Sequence, residues 1–555
     1  MHSRRFPRVL AATLGLGLVS LLVLPAQGSP ARSSDTISGA DSRIAHSPFV
    51  RWMSGPAQRA MRFIAGDKPA SSAGSPARSS LSPGPVPLLP LGPNVRVNDP
   101  SGDGIGDPDM TTQSEASIAV SGSNVVTGYN DDGRSSAFLK AADDLTGYSW
   151  SDDGGVSWHD GALKNRFPGV NLGDPALAAD RDGRFYFATL DLDFKRLGVA
   201  VAVGRSVDGG KTFQTPKLVS VNAGITETER SFREVDTDKP WITVGRDPAD
   251  ASHDIVYVGW TEFFVSFGPR SFSEGSRIVV SRSLDAGQTW SHPVPVAVVP
   301  SSTPERRSRA QFVNGVSLAT GPGGGLYVGW EQFVDRNRDF TFATRQEWLA
   351  RSSHAGRTFS RPRLVASPSP VGTLPTLICS NVLSFGAGRL VRVQEFPALA
   401  VGPKRDLFMA YDANTASGPV VRVARSSDGG RTWFIKAVSH GGPAFMPALA
   451  ADSAHVDVTY YQGTDPHHVK LAAARSTDGF VYANADLSST SFPVPYTLPP
   501  FDPFIAACYM GDYNGAARQG DTLYAAWGDN RDTVVNAFWP GGRIDPDVFF
   551  TKVGP

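Results

Sequence analysis

The stretch Arg425–Trp433 reads RSSDGGRTW, and its spacing returns along the chain. SDDGGVSW begins at Ser151, SVDGGKTF at Ser206, SLDAGQTW at Ser283 and SSHAGRTF at Ser352, with a worn copy, STDGFVY, at Ser476. Each copy follows the same set of strand-like runs. Before RSSDGGRTW come FPALAVG (Phe396 to Gly402), DLFMAYDA (Asp406 to Ala413) and VVRVARSS, and WFIKAV follows it. These are four short β segments, rich in β-branched and aromatic residues and separated by turn residues. The motif therefore sits in the hairpin between third and fourth strands. There an Asp can accept backbone amides, glycines supply positive φ, and an aromatic residue packs under the sheet. In the fourth copy His354 replaces the Asp, which a turn tolerates.

The same order can be followed from end to end. First runs include EASIAV from Glu115, DPALAAD from Asp174, KPWITVG from Lys239, NGVSLAT from Asn314 and MPALAAD from Met446. A seventh pair, GDYNGAAR and TLYAAWGD, is followed by DVFFTKV and by no motif. Units recurring every 50 to 80 residues or so predict an all-β fold, a β-propeller of four-stranded blades. Seven blades are favoured, and a six-bladed ring with one atypical insertion is the alternative. The last unit lacks a fourth strand, and NVRVND (Asn94 to Asp99) has no partner of its own. It is expected to complete the last blade and close the ring, removing exposed sheet edges.

The recurring motif resembles the Asp-box, or bacterial neuraminidase repeat, of sialidase-like propellers. The resemblance runs from about Asn94 to Val553 and rests on several spaced copies. It implies a propeller that acts on glycans, with exo-sialidase-like glycoside hydrolysis as the reaction class. It also implies an F/Y-R-I-P segment, three Arg, a Tyr–Glu nucleophile pair and an Asp acid/base. The matching early stretch here, TTQSEASIAV, contains no Arg. Tyr513 with a nearby carboxylate, and Arg134, Arg392 and Arg531, are the residues available for those roles.

Composition bounds the rest. The chain has 555 residues, 41% hydrophobic and 10% aromatic, which suffices for a core. Fifty-three basic residues balance 53 acidic ones, so neither a nucleic acid nor a polybasic membrane contact is expected. Arg4, Arg5 and Arg8 lead into an apolar run, Val9 to Leu24, and small residues then permit cleavage near Ser29. The expected organisation is a signal peptide over 1–28, a Ser/Pro/Gly-rich linker over 29–93, largely disordered, and the propeller over 94–555. The protein is then secreted, without stable membrane insertion after cleavage, and monomeric.

With motif turns on one face of the disc, function belongs on the other, just before first strands and just after second strands. Those positions hold Glu115, Asp131, Asp174, Asp191, Asp238, Glu262, Glu331, Glu395, Asp412, Asp512 and Asp529. A carboxylate-rich mouth suits glycoside hydrolysis, in which one acid protonates the leaving oxygen and a second group attacks or activates water. The candidate catalytic group is Glu115, Asp174, Asp238 and Glu262. Arg134, Lys239, Glu331, Glu395, Tyr513 and Arg531 are candidates for substrate binding. The partner would be an extracellular glycan or glycoprotein, and a non-catalytic propeller binding glycans or proteins through the same mouth is the alternative. No cofactor is required. NDPSGDGIGDPD (Asn98 to Asp109) has Asp99, Asp103 and Asp107 at calcium-loop offsets, but Met110 stands where a bidentate Glu is expected. Structural Ca²⁺ and a plain acidic turn both fit it. Cys379 and Cys508, the only cysteines, lie in inter-blade connections on the mouth side, and a disulfide between them is expected in an oxidising compartment.

Overall fold

The computed structural model describes residues 92–99, 112–131, 145–228, 230–268, 271–300, 310–335, 342–372, 381–386, 389–495, 508–535 and 540–554. All lie within one compact unit, Ile37–Pro555. The expected signal peptide, and the linker up to residue 91, lie outside the described residues. Seven antiparallel sheets follow one another along the chain, each of four strands in sequential order, three of them with an added short strand. The first blade is Gln113–Ser121, Asn124–Asp131, Thr146–Ser151 and His159–Ala162. The fifth is Ala398–Val401, Leu407–Thr415, Gly418–Ser426 and Phe434–Ala437. The seventh supplies only Gly515–Gln519, Thr522–Val534 and Arg543–Val553, and its outer strand is Val95–Arg96 from the other end of the chain. Val95 pairs with Phe550 and Arg96 with Phe549, as the unpartnered NVRVND segment predicts.

The core is divided into wedges. Buried apolar clusters lie at every seam between neighbouring blades, from Phe187 and Phe213 between the first and second to Val97, Tyr129 and Phe550 between the seventh and first. This follows from alternation: each strand, inside a blade stacked on two others, presents apolar side chains to both neighbours.

The motif turns fasten these seams. In all six copies the Ser hydroxyl accepts the amide of a motif glycine at 2.8–3.0 Å. In the copy at Ser426 the Asp428 carboxylate accepts the amides of Arg431 and Thr432 and the Thr432 hydroxyl at 2.7–2.9 Å. These bonds hold its carboxyl well below the usual range. In the copy with His354 only a 3.4 Å contact to the Thr358 hydroxyl remains of that set. The glycine that bonds the Ser sits flat against the preceding blade: Gly155 on Phe550, Gly210 on Val126, Gly287 on Tyr186, Gly356 on Tyr257, Gly430 on Leu349 and Gly479 on Phe408. Only the seam between the sixth and seventh blades lacks such a turn, because the seventh blade's last two strands come from opposite ends of the chain. That seam carries a broad cluster including Tyr461, Phe492, Trp527 and Phe549.

Candidate functional site

On the face opposite the motif turns, every blade carries a left-handed residue within its inner strand or just before it. These are Glu115 (φ 56°), Asp174 (54°), Lys239 (49°), Gly315 (68°), Glu395 (62°), Met446 (51°) and Gly511 (95°). In four blades the pairing with the second strand slips at this point, between Ser114 and Ser117, Asp238 and Trp241, Asn314 and Ser317, and Phe445 and Ala448. Such a bulge bends the strand and re-aims its side chains. A left-handed conformation costs a non-glycine residue about 1–2 kcal/mol, so its recurrence here marks a constraint that the surrounding fold maintains.

The re-aimed side chains from the first, second, third and seventh blades meet. Tyr509 donates its hydroxyl to Glu115 Oε1, which also accepts the Asp512 amide at 3.2 Å. Arg392 bonds Asp512 Oδ2 at 2.8 Å. Asp238 accepts from Asn314 Nδ2 at 3.0 Å, and Asn314 accepts the Thr261 hydroxyl at 2.7 Å. Asn130 receives the Asp174 amide at 2.7 Å. Lys239 directs its ammonium at three rings, 3.4 Å from the Tyr513 centroid, 4.2 Å from Trp241 and 5.6 Å from Phe396. Aromatic faces attract a desolvated cation in this way. Every one of Glu115, Asp174, Asp238, Lys239, Arg392, Tyr509, Asp512 and Tyr513 is 5% exposed or less.

Four carboxyls thus share one dry centre with two cations. Full ionisation would leave uncompensated negative charge in a low-dielectric site, and protons are retained instead. Burial, reinforced by Asp512, pushes Glu115 up to about 8. Burial lifts Asp512 to about 7 against the pull of Arg392. Burial and the neighbouring Asp174 hold Asp238 well above the carboxylate range. The same desolvation lowers Lys239 to about 8, although its acidic neighbours oppose it. Groups poised near neutrality are what proton transfer requires.

The other predicted residues go elsewhere. Glu262, next to Thr261 on the second strand of the third blade, is engaged by Arg277 and by Trp260 Nε1 at 3.3 Å. Glu331 and Glu395 belong to a second buried cluster. There Arg345 meets Glu331 at 3.2 Å, Glu347 at 2.7 Å, Glu395 at 2.6 Å and Asp412 at 3.2 Å. Glu395 further accepts the amides of Val371 and Gly372 at 2.9 Å. Arg531 is tied to Asp529 at 2.6 Å and lies over the Phe549 ring. Tyr513 is in the centre, but its hydroxyl donates to the Pro175 carbonyl at 3.1 Å rather than to a carboxylate. Arg134, Asp103, Asp107 and Cys379 lie outside the described residues. Asp99 is exposed, and its amide donates to the Asp160 carboxylate at 2.8 Å. Cys508 is disulfide-bonded.

Sequence reasoning missed Tyr509, which makes the Tyr–Glu contact four residues before the tyrosine that position alone selects. Arg392 reaches the centre from a hairpin, Val382–Gly386 with Arg389–Arg392, inserted between the fourth and fifth blades. No repeat-based alignment could place it.

No family model matches the sequence, and no curated protein matches it. Solved structures do share its architecture. The phage phi92 endosialidase aligns over 84% of this chain and 69% of its own, at 10% identity and a TM-score of 0.44. An ulvan lyase aligns over 81% and 94%, at 10% identity and 0.45. The Trypanosoma rangeli sialidase aligns over 80% and 55%, at 12% identity and 0.34. At these identities and TM-scores no residue role is carried across from them.

Proposed function

We propose that the protein is a secreted, sialidase-like propeller of the Asp-box type that hydrolyses extracellular glycans at the buried centre between Glu115 and Tyr509. The carrying observation is the Tyr509 hydroxyl bonded to a glutamate whose burial makes it a stronger base than usual. In the step this supports, which runs from the ionised form of Glu115 and so gains rate as pH rises toward about 8, the Tyr509 oxygen attacks the anomeric carbon while its proton passes to the Glu115 carboxylate. The bond to the leaving oxygen breaks, and that oxygen takes a proton from Asp238, which burial keeps protonated. Water then cleaves the glycosyl–tyrosine bond with the proton transfers reversed. Arg392 and Lys239 are the cations nearest the reacting groups, and Lys239 is held there over the Trp241 and Tyr513 rings.

The same burial supports a second reading, a non-catalytic glycan- or protein-binding propeller whose polar centre only ties the blades together. A panel of aryl glycosides and natural glycans separates the two. Wild-type protein is expected to turn over at least one member, and Tyr509→Phe and Glu115→Gln to lose roughly 100-fold or more while melting within a few degrees of wild type. Turnover of nothing by folded wild-type protein leaves the binding propeller.

A further inference from the structure

A feature left unexplained lies on the opposite face, at the motif end of the channel. There a cavity of about 710 Å³ is lined by the turns that join first strands to second strands, among them those at Arg181, Arg246, Thr320, Lys404, Arg405 and Asp452. Its acidic residues are each matched to an arginine. Asp180 takes Arg184 at 2.6 Å, Asp254 takes Arg181, and Asp452 takes Arg518 at 3.2 Å. Arg246, Lys404 and Arg405 remain exposed, and their side chains make no ion pair or hydrogen bond with any of the described residues. Asp254 lies near enough to feel Arg246 but is already bonded to Arg181.

The turn that carries two of these cations is built against local preference. Lys404 (φ 59°, ψ 13°) and Arg405 (φ 65°) are consecutive left-handed residues, and the Asp406 amide bonds the Pro403 carbonyl at 3.1 Å. That is a two-residue turn whose central positions favour Asn-Gly, because side chains with a Cβ strain there. The Arg405 amide bonds the Gly402 carbonyl, and in the equivalent turns of the second and fourth blades the residue making that bond is a left-handed glycine, Gly183 and Gly324. Within one molecule, then, the same turn is made with a relaxed glycine in the second and fourth blades and with strained cations in the fifth. The backbone conformation directs both basic residues to the rim of the cavity. Strain at a position that a simpler residue would relieve points to a role outside folding.

We infer that this cavity binds a small multivalent oxyanion, a molecule bearing phosphate, sulfate or carboxylate groups, held by Arg246, Lys404 and Arg405. The aromatic rings of the opposite centre are missing from its lining, so recognition rests on charge and on the planar donors of the arginines. The site is independent of the proposed hydrolysis, which lies at the other end of the channel.

The test uses full-length protein and calorimetric titration with pyrophosphate, sulfate, citrate and a sulfated disaccharide, at low and at high salt. Wild type is expected to bind at least one of them in the micromolar range, at least tenfold more weakly at high salt, and the four arms identify the oxyanion. Lys404→Asn/Arg405→Gly restores the preferred turn sequence, so it is expected to melt at or above the wild-type temperature while binding at least tenfold more weakly. Arg246→Gln should weaken binding without changing the melting temperature. Binding of none of the four by wild type, unchanged affinity in the double variant, or a double variant that melts well below wild type would each overturn the proposal.

Discussion

Glu115 has its ordinary carboxyl value of 4.5 raised to about 8 by burial, and it is not alone. Burial also lifts Glu347 to about 8, Glu395 and Asp512 to about 7, and Asp191 to about 6. In the unfolded chain these groups titrate near 4, so between about pH 4 and 8 the folded protein holds more protons than the unfolded one. Their contribution to stability is complete below the unfolded values and is lost as pH rises through the folded ones. Lys239, lowered to about 8, acts with opposite sign and only above that pH. The melting temperature is therefore expected to fall by about 5 °C or more between pH 5 and pH 8. Calorimetry across that range checks it, and a rising melting temperature would contradict the burial of these carboxyls in charged surroundings. At this scale the sequence was half legible. Glu115, Asp174, Asp238 and Lys239 could be found because each stands immediately before or at the start of a recognisable strand. Tyr509 could not, since the reversal at Gly511 changes which tyrosine faces the glutamate, and that is a property of φ rather than of spacing.

At the scale of the element, the motif turn is a fastener between blades. Gly155 shows why glycine is needed. Its φ is 87°, and a methyl group there would stand 2.4 Å from the Phe550 ring. Gly155→Ala combines a left-handed alanine with overpacking against a rigid aromatic, and is expected to cost about 2–4 kcal/mol. Ser426→Ala strips the buried Gly430 amide of its acceptor and is expected to cost about 1–2 kcal/mol. Chemical denaturation measures both, and a neutral Gly155→Ala would show that the seam is looser than the contact implies. The blades themselves were readable from the sequence, because four apolar runs and a turn signature recur together. The bulges within the inner strands were not, since residues as unlike as Glu115, Lys239 and Met446 occupy the same conformation. The hairpin Val382–Arg392 was equally hidden, being an insertion that repeats nowhere.

The whole molecule is a ring closed by its own N-terminal strand. Gly92 donates to the Lys552 carbonyl at 3.0 Å and Val97 to that of Val548 at 2.9 Å. Side chains add Asn98 to Asp547 at 2.7 Å and Arg96 to Asp532 at 3.0 Å. Deleting residues 92–98 exposes an edge strand and removes these bonds, at an expected cost of about 3–5 kcal/mol. Added peptide 92–99 should restore part of the loss, and a deletion variant with wild-type stability would show that the closure is ornamental. This closure was legible because the two incomplete halves of one blade stood at opposite ends of an otherwise regular repeat.

The direction of that closing strand decides how the ring bears load. Gly92 lies opposite Lys552, so the chain leaves the blade at the same end on both sides of the last pairing. A pull between the chain upstream of Gly92 and the chain beyond Val553 unzips the pair one hydrogen bond at a time, and each rupture meets little resistance. A pull along the strand, from Gly92 against a point past the far end of the blade, shears all of those bonds at once. The protein is therefore a mechanically anisotropic body: easily opened by tension across its own two ends, and resistant to the same tension applied through the disc.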